Sequence, residues 1–244
     1  MTVALRVLDI HKSFGGNKVL RGVSLWVDEG ETVGIVGPNG SGKTTLINII
    51  GGILRQDEGK VFLGDRDISE LRPNARAKLG IGRTFQITRL FSGLSVLENV
   101  MVALHYGSPL RASRKVAMDI LSSVGLVDMA HSKASALSLA QRKRLELARA
   151  LALKPKVLLL DEVFAGLNPT SIREMVSLLK DLRDREGITL VVVEHVLKAL
   201  FRLTERVIVL SEGRVIFDGS PEEMARDREV IRAYLGERYG KEIT

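Results

Sequence analysis

Short β-branched apolar runs alternate along this chain with stretches of helical periodicity. The clearest strands are residues 32–36, 157–161, 189–194 and 206–210, compact runs rich in Val, Ile and Leu. Strands separated by helical patterns belong to a largely parallel α/β sheet rather than an all-β sandwich. Residues 2–10 and 19–27 show partial period-two alternation around the turn-rich stretch 12–18, which predicts an antiparallel flank ahead of the parallel core. Residues 213–219 close the sheet as a hairpin arm. Between Phe85 and Pro155 the texture changes: 95–105, 113–124 and 140–153 are helix-like, with no strand of comparable strength between them. Ser220-Pro221-Glu222-Glu223 is a helix start with acids in its first turn, and a charged amphipathic segment continues from it to residue 239. The expected organisation is one domain: an α/β core with its antiparallel flank from 1–85 and 156–220, a helical subdomain 86–155, and a C-terminal helical extension 221–244.

Composition narrows the setting. With 45% hydrophobic residues among 244 and only 23 Gly and 6 Pro, a globular domain with a sizeable core is expected, not a disordered or collagen-like chain. No cysteine is present, which excludes a disulfide framework, a thiolate metal site and a Cys nucleophile, and makes a reducing compartment the expected home. Arg6 and Asp9 interrupt the first apolar stretch, which has no small-residue cleavage site, so a signal peptide is not expected. The longest apolar runs, 157–160 and 190–193, fall far short of the roughly 18 to 20 residues of a spanning helix. A formal charge of +7 raises polyanions as partners: nucleic acid, anionic lipid or a phosphate-bearing ligand.

The phosphate-bearing ligand has a specific motif. Gly37-Pro38-Asn39-Gly40-Ser41-Gly42-Lys43-Thr44 fits G-x-x-x-x-G-K-[ST] and lies between strand 32–36 and the helical run 45–54. Glycines let backbone N–H groups turn inward as an anion nest at a helix N-terminus, where the dipole adds to the attraction. Lys43 then reaches the β- and γ-phosphates, Thr44 offers its hydroxyl to Mg²⁺, and Thr45 helps hold the α-phosphate. The second half of such a site is a buried strand that delivers a carboxylate to the metal, and 157–161 ends in Asp161. Glu162, one residue on, points elsewhere and is the expected group to polarise an attacking water, since that work needs a second carboxylate not spent on the metal.

Between and after these elements stand Thr84-Phe85-Gln86, Leu137-Ser138-Leu139-Ala140-Gln141-Arg142, Gly166-Leu167-Asn168-Pro169 and Val193-Glu194-His195. In that order and spacing, over nearly the whole chain, the sequence resembles the ATP-binding-cassette ATPases. The resemblance implies ATP and Mg²⁺ as ligands. It makes Gln86 a glutamine that joins the nucleotide site to the helical subdomain and touches metal or water, and His195 the histidine that bonds the γ-phosphate. Phe14 stands where the family offers an aromatic ring to adenine, with a core or hairpin-plug role as its alternative; Trp26 and Phe201 are expected in the core. Ser138, Ala140 and Gln141 belong to the segment that binds the γ-phosphate of ATP held by a second cassette, so each site needs two chains, in a homo- or heterodimer. The family's usual segment is Leu-Ser-Gly-Gly-Gln, and here Leu139 and Ala140 replace both glycines. The Ala140 Cβ weakens closure if that position needs φ > 0. Val163 likewise replaces the Pro usual after the catalytic Glu.

Within the family, the stretches 82–91 and 94–100, Ala165-Gly166-Leu167-Asn168-Pro169, and Ala233-Tyr234-Leu235-Gly236-Glu237 look like the ATPases of branched-chain amino-acid importers. Related urea or amide importers and lipopolysaccharide exporters remain as alternatives. By resemblance, about 87–105 receives a cytoplasmic helix of a membrane permease, with Leu90, Phe91 and Leu94 as apolar anchors beside Arg89, or else packs the helical subdomain. A solute-binding receptor acts through that permease, and the expected place is the cytoplasmic face of the cell membrane. Only 51 residues separate Gln86 from Ser138, too few for the coiled-coil arm of nucleic-acid-clamping relatives. Residues 86–155 hold ten basic and four acidic side chains, so most of the positive excess lies in the helical subdomain. It is assigned to phosphates, the permease and the anionic leaflet; nucleic acid is not expected as a partner.

Overall fold

The computed structural model describes residues 2–84, 90–108, 110 and 112–235, with backbone only at Leu235. Two twelve-residue strands, β1 (Val3–Phe14) and β2 (Asn17–Asp28), pair antiparallel around a two-glycine turn at Gly15-Gly16, so the turn is shorter than the expected 12–18. After β3 (Thr32–Val36) come α1 (Lys43–Ile50), β4 (Glu58–Leu63), β5 (Arg66–Asp67), α2 (Pro73–Leu79) and β6 (Ile81–Arg83). The helical region holds α3 (Val96–Gly107), α4 (Arg114–Ser123) and α5 (Leu139–Leu151). The chain then returns through β7 (Val157–Asp161), α6 (Pro169–Glu186), β8 (Thr189–Val193), α7 (Leu197–Leu203), β9 (Arg206–Ser211) and β10 (Arg214–Gly219). It continues to α8 (Pro221–Met224) and α9 (Arg228–Leu235).

These elements form a six-stranded sheet in the order β10-β9-β3-β8-β7-β6, parallel except for β10, and a four-stranded antiparallel sheet β2-β1-β4-β5. The α/β class, the antiparallel flank and the hairpin arm are therefore as expected. The central strands are buried on both faces, as parallel strands covered by crossovers must be. Along them, alternate residues serve two cores. Leu158, Leu160, Leu190, Val192, Val207 and Val209 join the helical subdomain, α6 and α7. Val157, Leu159, Val191, Val193, Ile208 and Leu210 face α1 and the antiparallel sheet.

Three expectations need correction. Trp26 is 51% exposed, not core, with the Arg206 guanidinium stacked 4.7 Å from its ring. It lies in phase with Ser24 on the outward face of β2, while Val23, Leu25 and Val27 point inward. Phe201, by contrast, packs partly buried against the larger core. The C-terminal extension is two helices rather than one: α8 stops after one turn, and Asp227 accepts a hydrogen bond from the Val230 N–H to start α9. Finally, β4, β5 and β6 were not marked by the pattern, because Gly, Lys, Arg and Asp interrupt their short apolar runs.

Arg76 shows how the core settles the end of α1. Fully buried, it donates to the carbonyls of Ile49 and Ile50 at 2.6 and 2.7 Å, and to those of Leu71 and Ser69. A cation on the last carbonyls of a helix complements its dipole, and burial lowers its pKa to about 10.

Candidate active site

The phosphate loop joins β3 to α1, and its conformation depends on glycine. Gly42, the residue before α1, has φ +103°; a Cβ there would also sit 2.6 Å from Leu20 Cδ2 and 3.1 Å from the Val19 carbonyl. No side chain caps α1 and no acid occupies its first turn, so its leading N–H groups are left for an anion. Asn39 and Gly40 at the loop crest and Thr44 at the start of α1 are exposed, Thr45 is half-buried, and Ser41 is buried. Lys43 is buried too, and its Nζ donates to the carbonyls of Gly37 at 2.8 Å and Pro38 at 2.9 Å. Burial pushes the pKa of this ammonium down, against the pull of Glu162 and Asp161.

Across the sheet, β7 and β8 end side by side, with Asp161 paired to Val193 in register. Asp161 is buried and its Oδ2 lies 3.2 Å from Arg83 Nη2, an ion pair that the motifs did not announce. Burial raises its pKa; the Arg83 charge opposes that rise. The next residue turns away: Glu162 has φ +51°, a conformation that costs a non-glycine residue on the order of 1–3 kcal/mol. The turn carries the Glu162 Oε1 to 3.2 Å from His195 Nε2 at the end of β8. Two of the expected catalytic residues thus meet, and the paired carboxylates at 161 and 162 face different partners. Gln86 lies outside the described residues.

Phe14 is 46% exposed in the β1–β2 hairpin, its ring 5.4 Å from the Lys12 ammonium, which argues against the hairpin-plug alternative. Such an open π-face is suited to stacking on a base. Ser138 caps α5 through a reciprocal pair: its Oγ accepts from the Gln141 N–H at 3.3 Å, and Gln141 Oε1 accepts from the Ser138 N–H at 2.9 Å. Among the described residues, these side chains bond each other's backbone N–H and not the phosphate loop of their own chain. Ala140 lies in the first turn of α5 and has no positive φ. The replacement of glycine therefore imposes no backbone strain here. Leu139 is exposed and packs its Cδ2 where a Cβ on Gly166 would fall.

Two buried charges behind the site are given no role by the sequence motifs. Glu194 Oε1 accepts from the Phe164 N–H at 2.6 Å and its Oε2 from the His195 N–H at 3.2 Å. Burial pushes its pKa up to about 7. On α5, Lys143 donates to the Glu162 carbonyl at 2.7 Å, and burial lowers its pKa. A signal for each was available: an acid closing the otherwise apolar run 190–193, and a lysine in helical phase with Leu147 and Ala150.

Comparison with known proteins follows the same lines. A family profile described as ABC transporter matches residues 20–165, and one described as branched-chain amino acid ATP-binding cassette transporter matches residues 214–240. The chain is 37% identical over 237 residues to the lipopolysaccharide export system ATP-binding protein LptB of Escherichia coli, covering 96% of this chain and 98% of LptB. It is 35% identical over 249 residues to the high-affinity branched-chain amino acid transport ATP-binding protein LivG of Salmonella typhimurium, covering 96% and 98%. Among solved structures, an ATP-binding cassette of an ABC transporter in its ADP conformation has a TM-score of 0.88 at 34% identity, over 97% of this chain and 100% of that one. A dimeric cassette in a post-hydrolysis state, bound to ADP and Pi, has a TM-score of 0.80 at 32% identity, over 88% and 98%.

Proposed function

The chain belongs to the ATP-binding-cassette family of ABC transporter subunits and is an ATPase coupled to transport, and on that premise we propose that it powers a branched-chain amino acid importer. The observation that carries the substrate is the match of residues 214–240 to the branched-chain profile, a segment outside the shared cassette match. The competing assignment, lipopolysaccharide export, has the 37% identity to LptB in its favour.

In the proposed cycle, ATP phosphates enter the nest of 37–44. Lys43 shifts its ammonium from the Gly37 and Pro38 carbonyls to the β- and γ-phosphates, and Phe14 stacks on adenine. Thr44 and Asp161, hard oxygen donors on α1 and β7, together with Gln86, would hold Mg²⁺; when bound, the ion neutralises charge on the phosphate oxygens. Glu162 orients and polarises the water, and His195, 3.2 Å away, holds that carboxylate and bonds the γ-phosphate. A second cassette brings its own Ser138, Ala140 and Gln141, so that the N-terminus of its α5 points at the same phosphate. Closure and reopening are the two states that a permease can use. Because Ala140 already has helical geometry, Ala140→Gly is expected to preserve ATP-driven pairing in sedimentation; a marked loss would show the loop to be misassigned.

Among the described residues no helix is long and apolar enough to cross a membrane, and attachment to the cytoplasmic face of the membrane is assigned to the permease. A groove of about 570 Å³ between α2, α3 and α5, lined by Ala77, Val102, Tyr106, Arg149 and Leu153, lies beside Phe91. Phe91 is 44% exposed under the Arg149 guanidinium, with its backbone pinned by Asn99. Leu90 instead packs against the core, and Arg89 lies outside the described residues. The test is reconstitution with a branched-chain amino acid permease pair: ATPase activity is expected to rise when a leucine-loaded receptor is added. Phe91→Ala should weaken co-purification of the permease roughly tenfold, the scale of losing an aromatic anchor. Stimulation by lipopolysaccharide-export partners instead would transfer the chain to the competing assignment.

A further inference from the structure

The buried charges behind the site form a connected path. Lys143 stands five residues into the chain from Ser138, about 7.5 Å along the helix at 1.5 Å per residue, and its ammonium holds the Glu162 carbonyl at 2.7 Å. Glu194 holds two points at once: the N–H of Phe164, two residues past Glu162, and the N–H of His195 itself. Both side chains are nearly inaccessible, Lys143 at 5% and Glu194 at 1% exposure. Unpaired, either would carry a large desolvation cost; here each side chain is bonded to backbone at the ends of the two catalytic strands.

We infer that Lys143 and Glu194 are positioning residues, a brace that fixes the 3.2 Å approach of Glu162 to His195 and ties it to the start of α5. Resting on the shared-site reading above, the brace has a directional consequence. The N-terminus of α5 serves the ATP held by the second cassette, while the Glu162 it grips serves the ATP of its own chain. Closure on one nucleotide thereby reaches the carboxylate at the other through Lys143, which is the residue that carries this coupling between the sites. Glu194 is the part of the brace that does not depend on pairing, because all its bonds join β7 and β8 ends within one chain.

The experiment compares Lys143→Met, Lys143→Arg and Glu194→Gln in the intact transporter, with thermal melting as a control for folding. Met keeps the length of the side chain and removes the donor; Gln keeps the shape of Glu194 and one acceptor oxygen. Lys143→Met and Glu194→Gln are expected to lower kcat roughly 10- to 100-fold, the scale of a small misplacement of a catalytic group, with the Kd for ATP unchanged. Lys143→Met should also bring the Hill coefficient for ATP towards one, and Lys143→Arg, which retains a donor, should recover most of both. Unchanged kcat in Lys143→Met and Glu194→Gln overturns the brace, as does a fall in kcat matched by an equal loss of ATP binding. An unmodified chain that hydrolyses ATP without pairing overturns the shared-site reading and the cross-site part of the inference, but leaves the effect of Glu194→Gln on kcat as a separate outcome.

Discussion

Glu162→Gln is expected to slow ATP hydrolysis by roughly 10²- to 10⁴-fold, the range that a positioned general base contributes, while ATP still binds. The amide matches the carboxylate in shape and cannot take a proton from water. Its backbone keeps its place too, since the positive φ at 162 and the Lys143 bond to the 162 carbonyl do not depend on the side-chain head group, and an amide oxygen can still accept from His195. What changes is chemistry alone, so the variant should accumulate as an ATP-bound pair of cassettes, visible as an ATP-dependent doubling of mass in sedimentation. Normal turnover in Glu162→Gln would move the role to another group. Asp161 is the poorer candidate because Arg83 holds it 3.2 Å away in an ion pair.

Lys43→Ala acts a step earlier. The ammonium is buried in the phosphate loop and bonded to its own carbonyls, so it is desolvated before nucleotide arrives. Its transfer to phosphate exchanges neutral acceptors for anionic ones. Bonds of that charged kind contribute about 1.5–3 kcal/mol, or roughly 10- to 150-fold in Kd. Hydrolysis should fall further, by another 10²- to 10³-fold or so, because the charge that develops on the transferred group loses its nearest cation. Titration of a fluorescent ATP analogue separates the two effects. Wild-type affinity in Lys43→Ala would contradict the placement of this side chain on the phosphates.

The phosphate loop was legible because its chemistry dictates its residues: a nest needs glycine at Gly42, and the strand before it needs Val and Ile. The separation of Asp161 from Glu162 was also legible, although its cause is the left-handed turn at Glu162 just past the end of β7 and not strand alternation. The pairing of Glu162 with His195 is a consequence of β7 lying next to β8, a tertiary fact that order along the chain does not contain. Buried charges were the main blind spot. Arg76, Lys143 and Glu194 look like solvated residues until the backbone groups they satisfy are in view. Trp26 failed in the opposite sense: size suggested core, although the period-two alternation of its own strand placed it outward. Ala140 was expected to weaken closure only if its position needed a positive φ, and the helical geometry of α5 shows that it does not.

A shared site between two cassettes is the central claim, and the absence of native cysteine makes it directly measurable. Asn39→Cys, at the crest of the phosphate loop, and Leu139→Cys, exposed at the start of α5, can be placed on separate copies carrying Glu162→Gln and mixed under mild oxidation. The account predicts a disulfide between the copies that forms with ATP and not without it. A nucleotide-bound mixture that yields no crosslink, or one that crosslinks equally without ATP, would contradict it.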